Sequence, residues 1–213
     1  MMITVDEARS YYSGKDAAHD FEHVLRVLRL AERIGQVEGA DMEILRAAVL
    51  LHDIARSDEE SGGPCHAQQG AQRAREILAL HPCQRVEAVA TAIATHRFRS
   101  SEPPVTLEAK VLYDADKLDA IGAIGIARAF AVAGRHGQRL WAEVQPGLAQ
   151  RDVDQARGDL ANDRHTPVHE YVFKLSRLKD ALFTETGRKI AADRHAYMVQ
   201  FFRRLEQEVA GEL

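Results

Sequence analysis

The chain has 213 residues, 46% of them hydrophobic and 28% charged, a balance that excludes wholesale disorder and suits one sizeable core rather than two independent domains. Its formal net charge is -4, with Lys and Arg scattered along the chain, so the basic footprint of a duplex-binding protein is missing, although a small anion such as a nucleotide needs only a few cations and a metal. The acidic N-terminus MMITVDEARSYY does not read as a signal peptide, the stretch from Ala120 to Ala133 is too short to span a bilayer, and Cys65 and Cys83 lack the spacing of a thiolate metal site. These features lead us to expect a cytoplasmic protein with free thiols and with neither a membrane nor polymeric nucleic acid as partner.

In chain order, Phe21, Val24, Leu25, Leu28, Ala31 and Ile34 form an apolar stripe that predicts a helix from Asp16 to Ile34, with Gly35 placed to end it. Asp41 is a good N-cap for a second helix running through EILRAAVLLHDIAR, which puts His52 and Asp53 in its last turns before SDEESGGP breaks it. Two more helices are expected over His66 to Leu80 and from Pro82 to His96. The segment Leu107 to Ala133 reads as a central buried helix, in which Gly122 and Gly125 would let another helix approach. Residues 134–167 have little periodicity and read as a loop or lid, followed by helices at Val168 to Phe183 and Arg188 to Val209. No alternation of the β type is present, so the fold class is all-α.

The chemistry centres on His52-Asp53, an imidazole and a carboxylate carried side by side on one helix. The stripe containing His52 is otherwise apolar, with Leu45, Ala48 and Val49, and so is that of Asp116, with Leu112, Ala115 and Ala120. A carboxylate in such a place has to be protonated, ion-paired or bound to a cation. Asp119, one turn from Asp116, is an alternative partner. His19 and His23 are four apart on the first helix, a spacing that serves a metal or a partly exposed face equally well.

Three pieces, HDFEHVLRV (19–27), AAVLLHDIAR (47–56) and DADKLDAIGAIGIAR (114–128), in this order, resemble the HD-domain superfamily of metal-dependent phosphohydrolases. The likeness is closest to its small bacterial members, in which GRKIAADRH (187–195) also recurs. The resemblance implies an HD-type helical bundle with additional C-terminal helices, as a single domain over 1–213. Its metal-binding core would span about 16–133, its loop or lid 134–167 and its C-terminal helices 168–210. It implies His23, His52, Asp53 and Asp116 as metal ligands, with His19-Asp20 a decoy for the naming motif.

His66 and His96 look like the extra histidines of two-metal relatives; they are expected to line the substrate site beside one ion, with a second allowed. Together with Asp53 and Lys117 they form the expected catalytic group, and His19, Arg26, Arg97, His169 and Lys174 the substrate-binding group, with Arg99 a weaker candidate. Manganese, iron, nickel or cobalt suits these nitrogen and oxygen donors better than magnesium. The activity implied is cleavage of a nucleotide, foremost a (deoxy)nucleoside triphosphate, by water that a metal activates. Other superfamily activities remain open: 5′-nucleotidase, cyclic-nucleotide phosphodiesterase and guanosine tetraphosphate hydrolase. So do a non-catalytic metal- or nucleotide-binding regulatory module, a metal-free helical scaffold and assembly as a homodimer.

Overall fold

Wherever this computed structural model describes the chain, at residues 1–12, 21–60, 62–97, 102–151 and 165–213, the regular elements are helical and no strand occurs, as an all-α fold requires. The described residues form two compact units: Met1–Lys117 with Leu182–Gly187, and Leu118–Ala181 with Arg188–Leu213.

The first unit begins with α1 (Val5–Arg9), which the sequence pattern did not suggest. Thr4 and Glu7 form a reciprocal capping box that satisfies amides at its start, and Met2, Ile3 and Ala8 are buried. Next, α2 (Phe21–Glu38) buries Phe21, His23, Val24, Val27, Ala31 and Ile34 on one stripe. It runs through Gly35 rather than ending there. A Cβ at Gly35 would lie 2.5 Å from Leu45 Cδ2, so this glycine permits close helix packing, and the stop falls at Gly39 with φ 84°.

Asp41 caps α3 (Met42–Leu51) as expected, its carboxylate accepting from Glu43 N at 3.0 Å and Ile44 N at 3.2 Å. α3 stops at Leu51, earlier than the sequence suggests, and a separate short α4 (Arg56–Glu60) follows. α5 (His66–Ile77) packs on α4 and on α6 (Cys83–Ala94), while α3 sits between α2 and α6. Residues Ala47 to Leu51 are all buried, as befits the central helix of this unit.

The expected long helix from Leu107 to Ala133 is two helices, α7 (Leu107–Asp119) and α8 (Gly122–Arg135). Gly122 has φ 77°, and a Cβ on Gly125 would lie 2.2 Å from the Ala120 carbonyl oxygen. Gly125 therefore makes the corner itself, while Gly122 faces the Arg194 side chain. Within the first unit, buried Asp114 of α7 accepts from Phe183 N at 2.9 Å, Thr184 N at 2.7 Å and Thr184 Oγ1 at 2.6 Å. A Cβ at Gly187 would sit 2.5 Å from Asp114 Oδ2, so the stitch leaves room only for glycine.

In the second unit α8 packs against α9 (Pro167–Phe173), which meets the 3-10 turns Leu148–Gln150 and Leu175–Asp180. The chain breaks at Lys174 instead of continuing one helix to Phe183. Finally comes α10 (Glu185–Val209), whose Arg194 donates to the Leu118 carbonyl at 2.5 Å.

Arg85 also donates to the Asp41 carboxylate at 3.0 Å, and these bonds outweigh partial burial to hold the carboxyl below its ordinary value. Asp41→Ala should therefore lower unfolding stability by about 1 kcal/mol in urea titration at neutral pH. A carboxyl depressed in the fold stabilises above its unfolded pKa. The gap between wild type and the variant should thus close as pH falls through the acidic range, and a gap constant to pH 2–3, roughly a unit below the ordinary carboxylate range, would count against this cap.

Candidate metal centre

The site begins where α3 breaks. A helix end leaves its last carbonyls without intrahelical donors. Here His52 Nδ1 reaches the Val49 carbonyl at 2.7 Å, which fixes the ring proton on Nδ1 and leaves Nε2 as a lone pair. That Nε2 is buried and has no hydrogen-bond partner. His96, just beyond α6, repeats the device: its Nδ1 bonds the Ile93 carbonyl at 2.6 Å. His66, the first residue of α5, is held at Nδ1 by the Glu59 carboxylate, whose other oxygen takes Arg97 Nη1 at 2.8 Å.

All three rings thus turn Nε2 toward Asp53. Asp53 Oδ2 lies 3.7 Å from His52 Nε2 and 3.8 Å from His23 Nε2, while Oδ1 lies 3.4 Å from His66 Nε2 and 3.7 Å from His96 Nε2. One carboxylate serves two groups of donors. The donor atoms of His23, His52 and Asp53 lie within 4.8 Å of one another, and so do those of Asp53, His66 and His96. Asp116 Oδ1 joins through His23 Nε2 at 3.4 Å, and its Oδ2 takes Lys117 Nζ at 2.5 Å. Lys117 Nζ also donates to the His96 carbonyl at 3.0 Å, tying α7 to the end of α6.

Burial dominates the electrostatics. It pushes the His52 and His66 imidazoles down to about 4, against the pull of Asp53, so both are neutral donors at neutral pH. Burial by itself would raise the Asp53 carboxyl. The surrounding His52, His96 and His23 rings and the Arg56 guanidinium outweigh it and hold Asp53 well below the usual carboxylate range. At Asp116 burial is likewise outweighed, chiefly by the Lys117 charge and a bond from His23.

His66 Nε2 and His96 Nε2 lie 3.2 Å apart. With both protons committed to Nδ1, two lone pairs face each other, an arrangement that a cation between them relieves. Arg56 Nη1 approaches His66 Nε2 at 3.3 Å and supplies part of that charge. Neutral imidazoles, an ionised carboxylate and an orphaned buried Nε2 form a donor set that fits a divalent first-row ion.

Of the residues expected from sequence, the structure gathers His23, His52, Asp53, His66, His96, Asp116 and Lys117, with Arg97 joined through Glu59. Arg26 is partly buried one turn along α2 from His23. His169 and Lys174 belong to the second unit. There His169 bonds Thr166 Oγ1 at 2.7 Å, and Lys174 pairs with Glu170 at 2.6 Å. Asp119 is also in that unit, paired with Arg128 at 3.0 Å. His19 and Arg99 lie outside the described residues. Glu59 escaped the sequence reading because SDEESGGP carries only a helix-breaking signal, and Arg56, at the end of AAVLLHDIAR, was not singled out as a site residue.

The HD domain family matches residues 20–121 of this chain. YpgQ of Bacillus subtilis is 32% identical over 209 residues, which is 95% of this chain and 90% of YpgQ. The crystal structure of YpgQ aligns with TM-score 0.72 at 31% identity over 97% of this chain and 96% of that one. Its complex with ADP gives 0.71 at 30% identity over 96% and 92%. A predicted HD superfamily hydrolase from an uncultured Thermotogales bacterium gives 0.66 at 30% identity over 96% and 90%.

If the cluster takes a metal, adding manganese to chelator-treated protein should stabilise the fold by about 2.7 kcal/mol at a hundredfold excess over Kd, read as a rise in thermal midpoint. Asp53→Asn should abolish the rise while keeping the helical circular dichroism. An equal rise in that variant would place the ion elsewhere.

Proposed function

Because this chain belongs to the HD-domain family, we propose that it is a metal-dependent phosphohydrolase acting on a nucleotide, with a (deoxy)nucleoside triphosphate as the foremost substrate. One observation carries the reading: the imidazole Nε2 atoms of His52, His66 and His96 converge on the Asp53 carboxylate in a buried place where none of them stabilises the fold alone. The complex of YpgQ with ADP adds support for a nucleotide ligand.

In this reading His23, His52, Asp53 and Asp116 hold a divalent ion, which when bound acidifies a water and draws charge from a phosphoryl oxygen. His66 accepts the proton released as the water oxygen bonds to phosphorus, because its Nε2 faces the cluster while Glu59 fixes Nδ1. His96 lies close enough to share that proton. The phosphorus–oxygen bond to the leaving group breaks, and for a triphosphate cut at its α-phosphorus pyrophosphate departs. Arg56, Arg97 and Lys117 bring positive charge to phosphate oxygens, offsetting the repulsion that slows the uncatalysed reaction. We further infer a substrate contact from Arg26, one turn along α2 from His23.

A two-ion variant of the same reading has its own support. Asp53 divides its oxygens between His23 and His52 on one side and His66 and His96 on the other, as a bridging carboxylate would.

The test is a screen of purified protein with manganese, cobalt, nickel, iron and magnesium against nucleoside triphosphates, 5′-monophosphates, cyclic nucleotides and guanosine tetraphosphate, following phosphate and pyrophosphate separately. Pyrophosphate release from a triphosphate is expected. Asp116→Ala should abolish turnover, and His66→Gln should lower kcat by about 10²–10⁴. Full activity in Asp116→Ala would reject the ligand assignment. Metal and nucleotide binding without any turnover would favour a regulatory module.

A further inference from the structure

The broken end of α3 exposes a second carbonyl, that of Leu50, and a side chain from outside the 20–121 segment satisfies it. Tyr12 donates its phenolic proton to the Leu50 oxygen at 2.9 Å. The hydroxyl thus spends its one proton on a main-chain valence just upstream of Leu51 and His52.

The ring itself is held in place. Phe21 meets it edge-on with centroids 5.2 Å apart, and the Arg9 guanidinium lies 4.3 Å above the Phe21 ring. Upstream, the capped α1 packs on α3, Met2 and Ile3 are buried, and the Met1 ammonium pairs with Glu43 of α3. The N-terminal segment therefore delivers Tyr12 to the turn that carries the His52-Asp53 pair.

We propose that Tyr12 is a positioning residue of the metal centre: its hydroxyl clamps the Leu50 carbonyl, two residues before His52 and three before Asp53, so the main chain presents His52 Nε2 and the Asp53 carboxylate in one direction. This rests on the reading that His52 and Asp53 hold the ion. His52 is fixed by its own bond to the Val49 carbonyl. Asp53 is the first residue past that bond. Its carboxylate has to face histidines from α2, α5 and the end of α6 together, so a small rotation of its main chain misaims both oxygens. The hydroxyl acts on the turn that leads into it. Outer partners that orient metal ligands typically change affinity by 10- to 100-fold when removed.

The experiment compares Tyr12→Phe, which keeps the ring and removes the hydroxyl, with wild type and with Val86→Ala, a buried truncation in the first turn of α6. Manganese affinity is measured by calorimetry on chelator-treated protein, beside the thermal midpoint of the metal-free form. Tyr12→Phe should bind manganese about tenfold more weakly. Val86→Ala should lose thermal stability at unchanged affinity, separating aim from general loosening. Wild-type affinity in Tyr12→Phe overturns the proposal alone. Loss of helical circular dichroism in Tyr12→Phe also overturns it, because the phenol would then hold the fold rather than the site. A wild type that takes up no manganese overturns the metal reading and this proposal together.

Discussion

The centre depends on one constraint: an ionised carboxylate, Asp53, is buried among imidazoles whose lone pairs all point at it. A lone buried charge costs several kcal/mol, and a neutral imidazole aimed by its lone pair does nothing to offset that. A cation resolves the conflict. Protonating the histidines would too, but burial pushes His52 and His66 down to about 4, which removes that route near neutral pH. The scaffold thus maintains a local cost that Arg56 offsets only in part, a pattern found where function rather than stability shapes a site.

The helices meet this constraint by ending. Had α3 continued past Leu51, the Val49 and Leu50 carbonyls would have taken amides of the following turn, and the His52 ring would have had no fixed partner. The break turns each carbonyl into a positioning device, one for His52 and one for Tyr12. His96 past α6 works the same way. Close approach makes it feasible: a Cβ on Gly70 of α5 would lie 3.3 Å from the His52 carbonyl oxygen and 3.4 Å from Ile93 Cγ2, so α5 nestles against both helix ends.

Much of this was legible in the sequence because it repeats with helical period. The stripes of α2, α5 and α6 and the Asp41 cap lie where the spacing puts them, and the His-Asp pair stood out as a polar interruption of an apolar face. What escaped were features without a period. Gly35 reads as a stop but works as a packing notch, because only the position of Leu45 in space reveals the contact. The corner at Gly122 and Gly125 lies inside an apolar run that gives no reason to bend. Glu59 looks like part of a charged loop, and Tyr12 sits before the first strong helical pattern. Their roles come from tertiary proximity, which one-dimensional spacing does not encode.

The segment DADKLD in α7 shows how periodicity still sorts chemistry when its residues look alike. At about 100° per residue, Asp114, Asp116 and Asp119 leave the helix in three directions. Asp114 meets the amides of Phe183 and Thr184, Asp116 meets His23, and Asp119 meets the Arg128 guanidinium. Main-chain donors and a guanidinium satisfy the outer two, and neither partner releases its proton near neutral pH. Asp116 faces the His23 imidazole at 3.4 Å, whose Nε2 also lies 3.8 Å from Asp53. Among the described residues the lysine paired with Asp116 is its neighbour Lys117, which also donates to the His96 carbonyl. The lysine thereby neutralises one oxygen of Asp116 and leaves the other, Oδ1, turned toward His23.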